Sequence, residues 1–237
     1  MQLNYKIVVT GGSGRFGSIL QKKYKSNKLL YPSKEQLNIL STRSIEKYLQ
    51  KTNPKILIHL AGLSRPMKIH DNNISKSIDL NIIGTANIVK VCSKLRIKLI
   101  YFSTNYVYQG KKGNYKETDP VLPMNNYAWS KLGGESSVQM YKNSLILRVC
   151  MTEDPFIHKK AFSNVKTNFI FHKEVANILF KVLNLKGVMN IGGKIQSPFN
   201  FGKKYNKNLK KILAKKSFPL NPSMSISKLK KVVKKLN

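Results

Sequence analysis

Tyr127-Ala128-Trp129-Ser130-Lys131 sets a phenol and an ammonium four residues apart, which puts both on one face of a helix. An ammonium so placed favours the phenolate and draws a pKa of about 10 toward working pH, making a general acid. The spacing Tyr-x-x-x-Lys occurs three times in this lysine-rich chain, so position has to decide between the copies. Tyr24 with Lys28 closes an early helix, and Tyr108 with Lys112 falls in a glycine-containing loop. Only Tyr127 opens a helix directly after a loop suited to building a site.

A second constellation lies near the start. Thr10-Gly11-Gly12-Ser13-Gly14-Arg15-Phe16-Gly17 follows an apolar run and opens a helical pattern. Glycines permit a tight turn and the close approach of a pyrophosphate, and the helix N-terminus adds unpaired N–H groups and a favourable dipole. The expected ligand is a dinucleotide, held by Gly11, Ser13, Gly14, Arg15, Phe16 and Gly17. The residue closing the second strand commonly separates NAD from NADP, because a carboxylate there bonds the ribose 2′-hydroxyl. Here the segment is Tyr31-Pro32-Ser33-Lys34, with Glu35 the only nearby acid; Arg15 and Lys34 are better placed for a phosphate, so NADPH is expected over NADH.

Ser103-Thr104-Asn105 would bring a hydroxyl to the carboxyl edge of a strand, where Thr104 can bond a substrate oxygen. His59-Leu60-Ala61-Gly62 ends the preceding strand; Leu60, Ala61 and Gly62 are expected beside the cofactor, and His59 reads as a strand-end histidine with satisfied ring nitrogens. Asn81, on the next helix, is a candidate support for Lys131. Placement alone nominates Ser64, Arg65, Asn126 and Thr152 as substrate contacts.

The elements that must hold these residues alternate. Strands are expected at Lys6–Thr10, Lys28–Tyr31, Ile56–Leu60, Leu99–Ser103 and Ser144–Val149, and helices at Gly14–Tyr24, Thr42–Gln50, Ser75–Leu95 and Tyr127–Tyr141. Ile78, Ile82, Thr85, Val89 and Cys92 line one face of the third helix. Such alternation marks an α/β, Rossmann-type doubly wound parallel sheet. Past Cys150 the pattern fades to a helix at Lys173–Leu183, a strand at Val188–Ile191, and helices at Asn200–Leu213 and Ser227–Leu236. The expected division is a dinucleotide-binding domain over 1–150 and a small, shortened, lysine-rich substrate lobe over 151–237.

The chain has 237 residues, with 43 Lys and Arg against 10 Asp and Glu, a net charge of +33. So strong a field attracts polyanions, yet only five of the cations are arginine, and no nucleic-acid-binding motif is present. Specific nucleic-acid binding is therefore not expected, and the lysines read as a solvated surface or a funnel for a diphosphate. Cys92 and Cys150 lack metal-ligand or redox spacing, so neither a disulfide framework nor a metal site is expected. With no leader pattern and no membrane-length apolar run, a cytoplasmic, soluble protein is expected.

These motifs together resemble the extended short-chain dehydrogenase/reductases, and among them the dTDP-4-dehydrorhamnose reductase branch. The likeness runs through TGGSGRFG, IHLAG at 58–62, DLNIIGT at 79–85, STNYVYQG at 103–110, YKETDPVLP at 115–123, YAWSKLGGE at 127–135 and LRV at 147–149. It continues more loosely through HKEVA at 172–176 and GVMNIGG at 187–193. The resemblance implies Thr104, Tyr127 and Lys131 as a catalytic triad with Asn81 supporting. Tyr127 would protonate a sugar C4 carbonyl as hydride arrives, and Lys131 would bond the cofactor ribose. It implies a sugar nucleotide as substrate and NAD(P)H as cofactor.

The chain departs from the family at Asn38 and Asn105, where Asp is common, and in a shorter Val149–Phe169 segment. Asn105-Tyr106 replaces the Asp-Glu pair of sugar-nucleotide dehydratases, which argues against dehydration. The alternatives are an NAD-dependent epimerase using the same residues and a non-catalytic dinucleotide-binding regulatory subunit. Assembly as a homodimer is left open.

Overall fold

A computed structural model describes residues 3–215 and 217–235. Four-residue runs of apolar, β-branched character form the centre: β1 (Ile7–Thr10) leads to α1 (Arg15–Lys23), β2 (Leu29–Leu30), α2 (Thr42–Thr52) and β3 (Ile56–His59). Every residue of β1 and β3 is buried, as strands covered by helices on both faces require. Helix α2 is bounded by its own side chains, since Ser41 caps the Ser44 N–H and Asn53 takes the left-handed conformation that ends a helix.

After β3 come α3 (Ile69–Asn72), α4 (Ile74–Ile78), a π-helical turn over Asp79–Ile83, and α5 (Gly84–Lys94). The single regular helix expected over Ser75–Leu95 is thus interrupted. The wider π turn rotates the register, so that Ile78 lies 39% exposed while Ser77 and Asn81 turn inward, 3% and 1% exposed. Thr85, Val89 and Cys92 keep the buried face that their spacing implied.

The chain continues through β4 (Lys98–Thr104), a 3₁₀ turn at Asn105–Val107, α6 (Asn126–Gln139) and β5 (Ser144–Val149). It then forms β6 (Met151–Thr152), β7 (Lys160–Phe162), β8 (Ile170–Phe171), α7 (His172–Val182), β9 (Gly187–Ile191), α8 (Pro198–Gly202), β10 (Lys210–Ile212) and α9 (Ser227–Lys235). The expected end of the last helix, Leu236, lies outside the described residues. The main sheet is parallel and six-stranded, in the order β2-β1-β3-β4-β5-β9. Ile7 pairs with Leu29 on one side and Ile56 on the other, so successive connections leave β1 in opposite directions. That reversal is the topological switch point where doubly wound sheets bind ligands at their carboxyl ends.

Two compact units divide the chain. The first comprises residues 1–103, 125–146 and 185–187, and the second residues 104–124, 147–184 and 188–237. Within the second, β6 pairs with β8 and β7 with β10, each in parallel. Its core gathers Phe156, Ala161, Phe201 and Leu209, with Phe169, Phe171 and Phe199 packed around them. The Tyr108 and Tyr115 rings stack at 4.8 Å, and Arg148 Nη1 donates to the Tyr108 hydroxyl at 2.8 Å. These contacts pin the loop that follows β4.

The helix expected over Asn200–Leu213 is a correction. Helix α8 stops at Gly202, whose surroundings leave no room for a side chain because a Cβ would lie 2.3 Å from the Phe156 ring. Asn206 then turns the chain by bonding the Asn208 N–H at 3.0 Å, and Lys210–Ile212 pairs as a strand with β7. The aromatic core recruits Phe201 and Leu209 by tertiary packing, which overrides their helix-like spacing.

Candidate active site

The glycine turn has the form a diphosphate requires. Gly11 has φ +71°, and a Cβ on it would sit 2.6 Å from the Ala61 backbone nitrogen. A Cβ on Gly17 would fall 2.4 Å from the Gly11 carbonyl oxygen. The turn is therefore closed against both the loop after β3 and helix α1. Gly14 caps α1 without any side-chain hydrogen bond, and no acid lies in its first turn. A helix N-terminus with this sign of dipole favours an anion.

Tyr31, just past β2, covers Gly12 with its ring, and its hydroxyl is buried with no hydrogen-bond partner. Burial pushes that phenol up to about 12. Arg15 reaches from α1 to donate to Ser64 Oγ at 3.0 Å, bridging the turn to the loop after β3. Ser13 is exposed, whereas the Phe16 side chain packs on Phe102 at 5.1 Å and leaves only its backbone to face a ligand. Those features fit a nicotinamide dinucleotide lying on the turn and along Leu60–Gly62.

Asn125 starts α6 by accepting the Ala128 N–H at 2.8 Å, and this cap fixes the turn that carries Tyr127. Lys131 follows one turn later. Its Nζ lies 4.2 Å from the centroid of the buried Tyr101 ring, whose hydroxyl donates to the Lys131 carbonyl at 3.0 Å. Burial pulls the Lys131 ammonium down to about 7, and the Glu135 carboxylate opposes the fall. Glu135, a further turn along and 1% exposed, accepts from Ser103 Oγ at 2.7 Å. Phenol, ammonium and carboxylate thus form a stripe at i, i+4 and i+8.

Asn81 ties the parts of the first unit together. Its Oδ1 accepts the Leu63 N–H at 2.7 Å, while its Nδ2 donates to the Leu63 carbonyl at 2.9 Å and to Ser130 Oγ at 2.8 Å. Ser130 in turn donates to the Tyr127 carbonyl at 2.8 Å. The π turn is what brings Asn81 inward to do this.

Of the residues nominated from sequence, the first unit brings together the glycine turn, Arg15, Leu60–Gly62, Ser64, Arg65, Asn81, Asn126, Tyr127 and Lys131. Asn126 Nδ2 donates to Asp71 at 2.9 Å, and Ser64 and Arg65 are exposed on the loop after β3. Thr104 and Thr152 belong to the second unit. Thr104, buried, accepts the Tyr106 N–H at 3.2 Å; Thr152 is 1% exposed beside Glu153. His59 is a buried residue bonded at both ring nitrogens, as expected.

Sequence reasoning passed over Glu135, Ser130 and His70. The first two stand inside the quoted YAWSKLGGE segment at helical spacing from Lys131 and Tyr127, which was the available signal. His70, whose ring centroid lies 5.1 Å from that of Tyr127, gave none, since α3 has no periodic pattern.

The family described as the RmlD substrate binding domain matches residues 5–172. The chain belongs to that family. It is 28% identical over 144 residues to methionine adenosyltransferase 2 subunit beta of Pongo abelii, covering 57% of this chain and 43% of that protein. It is also 28% identical over 147 residues to the spore coat polysaccharide biosynthesis protein SpsK of Bacillus subtilis (strain 168), covering 60% of this chain and 52% of that one. The match thus spans about half the length of these curated relatives. In fold, the chain is similar to the dTDP-4-dehydrorhamnose reductase (rfbD) of Bacillus anthracis str. Ames, solved in complex with NADP. The TM-score is 0.85 at 20% identity, over 96% of this chain and 92% of that one. Among the described residues no helix is long and apolar enough to cross a membrane.

Proposed function

We propose that this protein is an NAD(P)H-dependent reductase of a keto sugar nucleotide. The observation that carries the reading is the stripe on α6. A lysine held near pKa 7 by burial, with a buried carboxylate behind it and a tyrosine one turn ahead, equips a helix for proton transfer at neutral pH. The bound dinucleotide would supply the hydride. Tyr127 would deliver the proton to the carbonyl oxygen, Lys131 would steady the phenolate left behind and bond the cofactor ribose, and Thr104 would bond the substrate oxygen.

Asn81 would hold the Leu63 loop and the Tyr127 turn in mutual register. Ser64, Arg65, Asn126 and Thr152 are the proposed substrate contacts. Arg15 and Lys34, with no carboxylate at the end of β2, favour NADPH over NADH. Among the relatives, the reductase solved with NADP and the polysaccharide-biosynthesis protein support both the cofactor and the substrate class.

The test is NADPH oxidation, followed by absorbance, with dTDP-4-dehydrorhamnose and other keto sugar nucleotides. Tyr127→Phe is expected to lower kcat by at least a hundredfold while NADPH affinity stays within about twofold. Wild-type protein that binds NADPH and turns over none of these substrates would overturn the reading. The likeness to a methionine adenosyltransferase subunit favours one second reading, a dinucleotide-binding regulatory subunit. It would bind NADPH, reduce nothing, and change the kinetics of a methionine adenosyltransferase added to it.

A further inference from the structure

We infer that His59 is a positioning residue, a neutral imidazole closing a one-way chain of hydrogen bonds that ties the glycine-turn side of the cofactor cradle to the helix bearing Tyr127. For its effect on turnover the inference rests on the reductase reading, which it deepens; the tie itself does not depend on it.

The direction of the chain follows from counting protons. Thr85 has one hydroxyl proton and donates it to the Asn81 carbonyl at 2.8 Å. His59 Nε2, 3.2 Å from the same oxygen, must then be the donor to Thr85. A neutral ring protonated at Nε2 has an acceptor at Nδ1, and there the Thr10 hydroxyl lies at 2.8 Å and donates. Thr10 Oγ1 in turn accepts the Ala61 N–H at 3.3 Å. Burial lowers His59 to about 3, which keeps the ring neutral throughout the working range.

The chain therefore runs Ala61 N–H, Thr10, His59, Thr85, Asn81 carbonyl, with the Tyr101 hydroxyl a further neighbour of Thr85. It continues through the Asn81 side chain to Ser130, and from Ser130 to the Tyr127 carbonyl. One end is the loop that walls Gly11 and the other is the turn that aims the phenol. Three side chains in one run of donors and acceptors are coupled, so breaking a second link is expected to add little to breaking the first. Three separate structural contacts would instead fail one by one.

Thr10→Val and Thr85→Val keep shape and delete one link each; neither residue belongs to the proposed catalytic or binding set. Amide hydrogen exchange of the full chain, read by mass spectrometry, reports on the α6 turn containing Ala128 and Trp129. Exchange there is expected to quicken about tenfold in either variant and by no more in the double variant. Thr10→Ser and Thr85→Ser, which keep the hydroxyl, are expected to restore protection. The matching activity signature is a kcat reduced about tenfold in each variant and by no more in the double, restored in the serine variants. Unaltered exchange in α6 after Thr10→Val would overturn the inference, as would losses that multiply in the double variant. If a valine chain does not fold, the Ser and Ala variants at the same position are read in the same way. Coupled exchange without turnover in the wild type would sink the reductase reading and leave the tie standing; turnover with uncoupled exchange would do the reverse.

Discussion

Replacing Glu135 with Gln keeps the shape and the acceptor for Ser103 Oγ, and removes the charge behind Lys131. The consequence can be worked from the helix. Side chains four apart stand about 6 Å from one another, and at an effective dielectric near 20 a carboxylate there attracts an ammonium by roughly 3 kcal/mol. That corresponds to about two pH units. Lys131, near 7 with the carboxylate in place, is expected to fall to about 5 without it. At pH 7.5 the charged fraction would drop from about a quarter to about 0.3%, so a kcat that needs the ammonium falls roughly 50- to 100-fold. Activity should return as the pH approaches 5. The assay is a kcat–pH profile for NADPH oxidation by the wild type and Glu135→Gln. Two superimposable profiles would refute the reasoning, because Glu135 would then have no hold on Lys131. A loss equal at every pH would refute it too, since that is the mark of a damaged fold.

The same burial makes a stability prediction. The unfolded chain keeps the Lys131 proton up to its ordinary 10.5 while the folded protein releases it near 7. The unfolded state thus binds more protons between those values, and stability rises with pH across that window. Lys131→Met is expected to abolish this rise and to stabilise the protein below pH 7 by a few kcal/mol at most, as checked by thermal melts at several pH values. At the other end of the site, Gly17→Ala would press a methyl to 2.4 Å from the Gly11 carbonyl and 2.6 Å from that of Gly12. Both neighbours are backbone, so the turn has to open, and NADPH affinity measured by fluorescence titration is expected to fall at least tenfold. Unchanged affinity would remove the turn from the cofactor site.

What could be read from residues alone follows how locally each feature is encoded. β1, the glycine turn and α1 were legible almost to the residue because the strand, the turn and the helix start each carry their own signal. β5 likewise sits where its apolar run places it. The π turn was not legible, since one extra residue per turn leaves no composition mark, and only its result, the exposed Ile78 and the buried Asn81, reveals it. The second unit was harder still. Its strands β6, β7, β8 and β10 are two or three residues long, too short for any period, and are held by pairing with partners far along the chain.

Glu135 marks a different boundary. A chain with 43 basic residues and 10 acidic ones should place most acids where they cost least, in solvent. A carboxylate one helical turn from the candidate lysine runs against that bias, and its spacing was visible in YAWSKLGGE. Its burial was not, because that depends on Ser103 arriving from β4 to donate the hydrogen bond a buried carboxylate requires. The phenol and ammonium can therefore be found by spacing. The carboxylate that opposes the ammonium's loss of charge is identified by the strand packed against it.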